Sequence, residues 1–484
     1  MSLMLDSLHT IGRLESQVTK SLPRSQVKQT RVVRAWDDWL KTYWPHRYTS
    51  SFADHHRLFW QHIETIEDGK KSPAYFLILS RGGGKDSNME GAVVRLGSYE
   101  KRRFCLYVRA TQNLANKTVQ SIGSMLEESR FASDYPAMAN RQLTKYGHSR
   151  GWKADMLRCA NGFGIVGLGL DVSVRGLRLD ELRPDLIVFS DIDDRTDTLE
   201  AIKKKEEIIR NDILPAGSSN TAIVGIQNLI RFNGIFHKIT TGKADYLLDR
   251  VVNGPYPAID DLEYERLPSG KYKITNGTPT WEGQSIAICE GQINDWGIDS
   301  FLTEAQHIVH KRTGLVYHGY EDSGIASKDV RNIEGLYHSH DFGAVNHTFG
   351  IWAKSGNSYY LIYEEKIEPG TSAQRAKRML AKLDRYGHKI VTGWGGAKSE
   401  RQQRLDFRQA GLEMRPPPFS DVEGQINYAN EMLADKTLVI CSDMVYTIDD
   451  LMNCVRDDKE GIQDKSKFHF ADMVRYFATG IKYS

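Results

Sequence analysis

The sequence predicts an α/β chain that carries two successive β-sheets. First, short apolar segments alternate with helix-compatible segments through the N-terminal half, beginning at Ala74–Leu79. Second, a glycine-rich turn at residues 82–84 follows this first apolar run directly. Third, the pattern restarts at Gly335, where three strand-like runs precede the next helix. We therefore expect a doubly wound, mostly parallel sheet, followed by a second domain that begins as an antiparallel meander.

Composition limits the class of protein. The chain has 484 residues, 40% of them hydrophobic and 26% charged, with a net charge of +2. This length is typical of about three domains, or of two large domains and a connector. A nucleic-acid surface would have to be a local basic patch, because the net charge is small. The five cysteines lack paired metal-ligand spacing, and no apolar run reaches membrane-spanning length. These features predict a soluble, intracellular protein.

The turn after the first apolar run has the composition of a phosphate-binding loop. A buried strand, a glycine turn and a helix bring backbone N–H groups and a helix N-terminus to one point, where they can surround an anion. Lysine at the end of the turn would reach the β- and γ-phosphates of ATP. The residues expected to contact the nucleotide are Ser80, Arg81, Gly82, Gly83, Gly84, Lys85, Asp86 and Ser87.

This loop departs from the usual pattern at two positions. Leu79 stands where a first glycine is usual, and Asp86 stands where Ser or Thr binds Mg²⁺. A carboxylate beside a triphosphate is unfavourable unless a cation lies between them. We therefore expect Asp86 to have a compensating partner elsewhere in the chain.

The apolar run Leu186–Phe189 ends in Ser190 and Asp191 and is the second chemical element. Such a strand usually ends in an Asp that holds Mg²⁺, followed by an acid that orients the attacking water. Here Ser190 and Asp86 exchange the hydroxyl and the carboxylate that these two positions normally hold. The exchange would preserve the Mg²⁺ ligands. The alternative is a site weakened by drift or engineering.

These segments resemble the large terminase subunit of tailed bacteriophages, over roughly residues 50–480. The resemblance includes Arg81 before the glycines, the segment Arg175-Gly176-Leu177 and the approach to the acidic strand at 183–188. It continues at 225–230, although Ile226 stands where that family favours Thr.

The rest of the chain is divided by composition. Residues 254–330 are rich in Pro and Gly, and we predict small strands at Tyr272–Thr275 and Ser285–Cys289 and a helix near Phe301–Lys311. The later part has a ribonuclease-H-like order of predicted strands and helices: Tyr337–Asp341, His347–Ala353, Tyr359–Glu365, Ala373–Tyr386, Lys389–Thr392, Ser399–Ala410, Gly424–Leu433 and Phe470–Ile481. The predicted domains are an arm at 1–50, a P-loop ATPase at 51–253, a connector at 254–331 and a nuclease at 332–484.

The resemblance implies a nuclease with clustered carboxylates and two divalent metal ions. Asp341 ends the first strand of the meander, and Asp472 matches the late acid of the family. Glu400 is the nearest candidate for the middle acid, with Asp406 as runner-up. The expected catalytic residues are Arg81, Lys85, Asp191, Asp341, Glu400 and Asp472. The expected metal ligands are Asp86, Ser190, Asp341, Glu400 and Asp472.

The implied function is DNA packaging. ATP hydrolysis with Mg²⁺ would move double-stranded DNA into a procapsid, and a nuclease using Mg²⁺ or Mn²⁺ would cut concatemeric DNA. The implied partners are a portal protein, a small terminase subunit and further copies of the chain, in the host bacterial cytoplasm and transiently on the procapsid. An arginine acting in trans could be Arg141 or Arg150, and the sequence does not choose between them.

Two rival functions remain open at this stage. One is a helicase-like or repair ATPase with a fused nuclease. The other is a DNA-binding scaffold with a degenerate ATP site, suggested by Asp86, Ser190 and Ile226.

Overall fold

A computed structural model describes residues 34–172, 181–308, 315–342, 347–397, 399–456, 461–462 and 465–483. The chain divides into two units, Met1–Thr49 and Ser50–Ser484. The described part of the first unit contains helix α1 (Trp36–Tyr43). The segment Arg175-Gly176-Leu177, which contributed to the family resemblance, lies outside the described residues.

The first sheet of the second unit has eight strands and is mostly parallel. In chain order they are β1 (Tyr75–Leu79), β2 (Phe104–Arg109), β3 (Trp152–Lys153), β4 (Met156–Arg158), β5 (Gly164–Gly169), β6 (Leu186–Ser190), β7 (Ala222–Gln227) and β8 (Val251–Tyr256). The spatial order is β3-β4-β5-β2-β6-β7-β1-β8. Pairing is parallel from β5 to β8 and antiparallel at β3 and β4. Strands β1, β2 and β6 are buried along their whole length, as their apolar sequences require. The predicted doubly wound class is confirmed.

Helices connect these strands and cover the sheet. They are α2 (Asp54–Thr65), α3 (Lys85–Ser98), α4 (Gln112–Leu126), α5 (Ser129–Asp134), α6 (Pro136–Ala139), α7 (Leu199–Ile208) and α8 (Ile235–Thr240). Thr111 begins α4 by accepting a hydrogen bond from Leu114 N, and Thr198 begins α7 by accepting one from Ala201 N. Helix α7 passes at Ile209 into a π-helical turn, Ile209–Ile213.

The segment after β8 packs beside the glycine loop. It contains a hairpin, β9 (Ile259–Arg266) and β10 (Tyr272–Pro279), followed by helices α9 (Ile286–Trp296) and α10 (Ile298–Glu304). The prediction of a strand at Ser285–Cys289 is wrong, because Ser285 caps α9 by accepting a hydrogen bond from Ile288 N. Strand β8 pairs with β1 and crosses the domain limit predicted at 253/254.

The second sheet has the predicted three-strand meander, β11 (Gly335–Asp341), β12 (His347–Ser355) and β13 (Ser358–Ile367). Strand β14 (Ile390–Gly395) pairs in parallel with β11, and β15 (Leu438–Ile440) pairs in parallel with β13. The covering helices are α11 (Ser372–Asp384), α12 (Arg401–Gln409), α13 (Val422–Ala434), α14 (Val445–Asn453) and α15 (His469–Lys482). Strand β15 and helix α14 were absent from the sequence prediction.

Helix α15 packs over the middle of this second sheet. The ring of Phe477 stacks on Trp352 of β12 at 4.2 Å and meets Trp394 of β14 edge-on at 5.7 Å. Both Trp352 and Phe477 are fully buried. Burial of such rings stabilises the contact between helix and sheet, and this contact places the N-terminus of α15 beside the end of β11.

Buried and exposed ion pairs connect the two sheet-bearing parts of the second unit. The guanidinium of Arg231, after β7, lies 2.9 Å from the Asp449 carboxylate of α14, and both side chains are buried. Lys366 Nζ of β13 lies 3.6 Å from Glu200 Oε1 of α7. Among the described residues, no helix is long and apolar enough to cross a membrane.

Candidate active sites

The glycine loop joins β1 to α3 at the carboxyl edge of the first sheet. Gly82 and Gly84 have φ values of 87° and 76°, in the left-handed region that glycine adopts without steric cost. Helix α3 begins at Lys85, so its unpaired N–H groups and the positive end of its dipole face the loop. The strand, turn and helix expected for phosphate binding are therefore present.

Neighbouring side chains hold the loop in this shape. The His56 Nε2 lies 2.9 Å from Gly83 O, and burial lowers the pKa of His56, which favours the neutral imidazole. Asn88 Nδ2 donates to Gly84 O at 2.9 Å, and Trp60 Nε1 donates to Asn88 Oδ1 at 2.8 Å. The loop is thus supported from α2 and from its own helix.

The acidic strand β6 ends close to this loop. Strand β7 alone separates β6 from β1 in the sheet. Ser190 is fully buried, and its Oγ donates to Asp86 Oδ1 over 3.4 Å. Asp191 has a φ of 44°, a strained conformation of the kind that costs about 1–3 kcal/mol and clusters at functional sites. The two exchanged residues, Asp86 and Ser190, are therefore neighbours.

An arginine lies among these polar groups. Arg109 is the last residue of β2, and it is 8% exposed. Its Nη1 donates to Asp86 Oδ1 at 3.0 Å and to Ser190 Oγ at 3.1 Å, and its Nη2 donates to Asp191 Oδ2 at 3.2 Å. One guanidinium thus contacts all three residues that were expected to organise the Mg²⁺ ion and the attacking water.

The oxygens at this site suit a hard cation. Burial raises the pKa of Asp191, while Lys85 and Arg109 lower it. Asp191 Oδ1 is buried and has no hydrogen-bond partner within the described residues, and the Asp86 side chain is 49% exposed. Carboxylate and hydroxyl oxygens are the ligands that Mg²⁺ takes in nucleotide sites, so the residues present fit this ion.

Glu304, at the end of α10, connects three of the loops around this site. Asn228 Nδ2, just after β7, donates to Glu304 Oε2 at 2.9 Å. Arg81 Nη1 lies 3.4 Å from Glu304 Oε2, and Arg195 Nη1 lies 3.6 Å from Glu304 Oε1. The glycine loop, the end of β7 and the segment after Asp191 therefore share one carboxylate.

Gln284 contacts the glycine loop from the same segment of the chain. Ser80 Oγ donates to Gln284 Oε1, and Gln284 Nε2 donates to Arg81 O, both at 2.8 Å. A Cβ at Gly82 would lie 3.1 Å from Gln284 Nε2. Residues 281–304 are therefore part of the surroundings of the expected nucleotide site.

The second candidate site lies at the end of β11. Asp341 Oδ2 accepts a hydrogen bond from His469 Nδ1, at the start of α15, at 2.7 Å. Burial raises the pKa of Asp341; the His469 contact opposes this shift, and Asp472 adds to it. The same hydrogen bond raises the pKa of His469. Asp341 is thus a half-buried acid beside a second carboxylate.

Glu400 comes shortly after β14, the strand that pairs with β11. It immediately precedes α12, and its Oε2 accepts a hydrogen bond from Ala397 N at 2.6 Å. Burial raises the pKa of Glu400, and the charge of Asp341 raises it further. Asp406 Oδ1 instead accepts from Gln402 on its own helix, at 2.8 Å. Of the two candidates for the middle acid, Glu400 is the one that interacts electrostatically with Asp341.

Asp472 lies in the first turn of α15. Its Oδ1 accepts a hydrogen bond from Arg475 Nε at 2.7 Å. Within the described ranges, no group of three or more His, Cys, Asp or Glu is arranged to hold a metal ion. Asp341 nevertheless interacts electrostatically with both Asp472 and Glu400, and Asp341 and Asp472 are each engaged by a basic side chain.

With both sites described, the chain can be compared with known proteins. It is similar to bacteriophage large terminases. The HK97 large terminase has 10% identity and a TM-score of 0.42, and the match covers 89% of this chain and 95% of that one. The large terminase of the thermophilic phage D6E has 13% identity and a TM-score of 0.34, with 90% and 100% covered.

The chain is also similar to a separate nuclease domain. The nuclease domain of the SPP1 large terminase, solved with bound Mn, has 16% identity and a TM-score of 0.26, with 33% of this chain and 93% of that one covered. At identities this low the likeness is one of fold. Large terminases are the family that the sequence motifs resemble. No protein-family model and no curated protein matches the chain.

Sequence reasoning missed three residues beside the glycine loop. Arg109 had a usable signal, because it is a single charge at the end of an otherwise apolar, buried strand. Gln284 and Glu304 had none, since they come from a segment about 200 residues further along the chain and fit no motif. Their positions depend on the packing of α9 and α10.

A cavity of about 560 Å³ lies between the two sheet-bearing parts. Its lining includes Arg195 and Asp197 on one side, and Asp450 and His469 on the other. Arg195 contacts Glu304 near the first site, and His469 contacts Asp341 in the second. One cavity is therefore lined by residues that contact the surroundings of both candidate sites.

Proposed function

We propose that the chain is the large terminase subunit of a tailed bacteriophage: an ATPase that drives double-stranded DNA into a procapsid, joined to a nuclease that cuts it. One observation carries this proposal. A single chain joins a parallel sheet bearing a glycine loop and an adjacent acidic strand to a ribonuclease-H-like sheet with three carboxylates at one end. This pairing of sites fits a motor that must both move and cut DNA.

The first site is proposed to hydrolyse ATP. The glycine loop and the N-terminus of α3 would bind the phosphates, and Lys85 and Arg81 would supply positive charge. Asp191 would orient the attacking water. Asp86 and Ser190 would hold Mg²⁺, which neutralises charge on the transferred phosphate when it is bound.

The second site is proposed to cut DNA. Asp341, Glu400 and Asp472 would hold Mg²⁺ or Mn²⁺, which activates water for attack on a phosphodiester. Asp341 and Asp472 would first have to exchange His469 and Arg475 for the ion. Burial raises the pKa of Asp341 and of Glu400, and a bound cation would stabilise both carboxylates in the ionised form.

The proposed domains are those predicted from the sequence, at 1–50, 51–253, 254–331 and 332–484. The proposed partners are double-stranded DNA, a portal protein, a small terminase subunit and further copies of the chain. The proposed location is the host cytoplasm, with transient docking on the procapsid.

A second candidate function is supported by Arg109. A guanidinium that already neutralises Asp86 and Asp191 is also what a degenerate nucleotide site in a DNA-binding scaffold would contain. The two functions differ in ATP turnover, which the scaffold lacks.

The test compares two variants of the full chain. Lys85→Ala should reduce ATP hydrolysis by at least about 100-fold while leaving metal-dependent DNA cutting intact. Asp341→Ala should do the reverse. The matched controls are Lys117→Ala and Asp384→Ala, which alter exposed residues on α4 and α11 and should change neither activity. Wild-type protein without ATP turnover would favour the scaffold, and unchanged cutting by Asp341→Ala would refute the nuclease assignment.

A further inference from the structure

Arg109 contacts the same oxygens that a divalent cation would need. Its Nη1 lies 3.0 Å from Asp86 Oδ1 and 3.1 Å from Ser190 Oγ. These two side chains are the proposed Mg²⁺ ligands. A lone pair that accepts an arginine N–H cannot at the same time coordinate a metal, and two positive charges at one oxygen repel each other, so the two cations compete for these atoms.

The charges around Arg109 show why a cation is needed there. Asp86 and Asp191 bring two carboxylates to one buried arginine, and Asp86 raises the pKa of Asp191 through like-charge repulsion. The Asp86 side chain is 49% exposed and the Asp191 side chain 29%, and carboxylates partly removed from water are destabilising without a nearby positive charge. Arg109, together with Lys85, supplies this positive charge from within the chain.

The attachment of Arg109 is restricted to these contacts. Its Nε is buried and has no hydrogen-bond partner among the described residues. The guanidinium is thus held at its two terminal nitrogens, by Asp86, Ser190 and Asp191. A competing cation on the same oxygens would remove the contacts that keep the guanidinium in place.

We propose that Arg109 is the resident counter-ion of the Asp86, Ser190 and Asp191 cluster, and that a divalent cation competes with it for these oxygens. The proposal rests on the proposed ATPase function and adds a residue to the metal site. Arg109 keeps the acidic cluster stable without metal, and the metal ion must displace it to bind. The site consequently has low affinity for free Mg²⁺.

The test measures thermal unfolding of the full chain without nucleotide, in EDTA and in increasing Mg²⁺. Arg109→Gln removes the charge and keeps a polar side chain. Its Tm should be lower than that of the wild type in EDTA, and saturating Mg²⁺ should raise it by at least about 2 °C more than in the wild type. Because both proteins have the same nuclease acids, the response of that site cancels in the comparison.

Arg103→Gln is the matched control. Arg103 precedes the same strand at its opposite end, and its side chain is exposed. This variant should respond to Mg²⁺ as the wild type does. Adding Asp86→Asn to Arg109→Gln removes the excess negative charge, so the Mg²⁺ dependence should disappear and the Tm in EDTA should recover.

Equal Tm values for wild type and Arg109→Gln in EDTA, or equal gains with Mg²⁺, would overturn the proposal. If Arg109→Gln does not fold, the double variant decides: recovery of folding supports the counter-ion role, and failure to recover contradicts it. None of these measurements involves ATP. Failure of the proposed ATPase function would instead appear as wild-type protein that does not turn over ATP.

Discussion

At the scale of single residues, the first candidate site brings a hydroxyl, on Ser190, and a carboxylate, on Asp86, close together. Ser190 Oγ and Asp86 Oδ1 are 3.4 Å apart, and Arg109 contacts both. Contacting residues that share a third partner are expected to contribute non-additively. The effect of changing one of them therefore depends on the identity of the other.

We predict this dependence for ATP hydrolysis. Asp86→Ser leaves two hydroxyls at the pair, and Ser190→Asp brings a third carboxylate to the cluster, so each single change should lower the rate. The double change restores the usual arrangement and should exceed both singles, with a coupling of about 0.5–3 kcal/mol. Steady-state ATPase assays of all four proteins measure it, with Ser124→Asp on the exposed face of α4 as a charge control. Strictly additive effects would show that the two residues do not act on one metal ion.

The second site offers a comparison of two acids, Glu400 and Asp406, which lie close together in the sequence. Glu400→Gln should lower DNA cleavage by at least about 10–100-fold, the range for groups that support a metal site, because Glu400 interacts with Asp341. Asp406→Asn should have little effect, because Asp406 bonds Gln402 on its own helix. Plasmid cleavage with Mg²⁺ or Mn²⁺ measures both. A larger loss with Asp406→Asn would reverse the assignment of the middle acid.

At the scale of elements, strands β11 and β12 carry three fully buried histidines. His338 Nδ1 lies 2.7 Å from His340 Nε2, and His347 Nε2 lies 3.4 Å from His340 Nδ1. Burial lowers the pKa of His338 and of His347 to about 3. All three imidazoles are neutral in the folded protein near pH 7, and they protonate on unfolding at mildly acidic pH.

The pH dependence of stability follows from these shifts. The unfolded chain takes up protons below pH 6.5, and the folded histidines take them up only near pH 3. The contribution of these histidines to stability is therefore fully present above pH 6.5 and is lost toward pH 3, by about 1 kcal/mol for each histidine between pH 7.5 and 5.5. His338→Gln should lose about 1 kcal/mol less over this interval than the wild type, in urea unfolding followed by circular dichroism. His388→Gln, at an exposed position, is the control, and equal pH slopes for His338→Gln and the wild type would contradict the prediction.

At the scale of the whole molecule, polar contacts connect the two sheet-bearing parts of the second unit. The buried pair Arg231–Asp449 is one of them, and burial raises the pKa of Asp449 while Arg231 lowers it. The cavity beside this pair is lined by residues that lead toward both sites. Changes in this pair thus affect how the two parts pack together.

We predict a strong asymmetry between breaking this pair and replacing it. Arg231→Met or Asp449→Leu alone leaves one buried charge without its partner and should lower the free energy of unfolding by about 3–5 kcal/mol. The double change Arg231→Met with Asp449→Leu removes both charges and should recover most of the loss. Glu321→Gln is the control, because it breaks an exposed ion pair of similar length. Glu321 lies 3.0 Å from Lys436, and the two side chains are 78% and 47% exposed. This change should lower the free energy of unfolding by about 1 kcal/mol or less. Denaturant unfolding measures all four, and equal losses in single and double variants would rule out the charge argument.

The sequence by itself determined the class of each sheet and most of its elements. Short apolar runs such as Tyr75–Leu79 and Leu186–Phe189, bounded by turn residues, predict buried strands. The glycines after β1 predict a turn, because φ values near 80° favour glycine. These are local properties of the backbone and of hydrophobic burial. The neighbourhood of Asp86 and Ser190 was also predictable, because parallel strands present their carboxyl ends at one edge.

Only the tertiary structure decided which side chains complete the sites. Arg109 reaches the acids because β2 pairs beside β6, and Glu304 and Gln284 reach the glycine loop because the segment after β8 folds back onto it. Asp341 and His469 are 128 residues apart in the sequence, and Arg231 and Asp449 are 218 residues apart. Such contacts carry no local pattern, because they arise from packing between distant elements, and packing is determined by the fold of the whole chain.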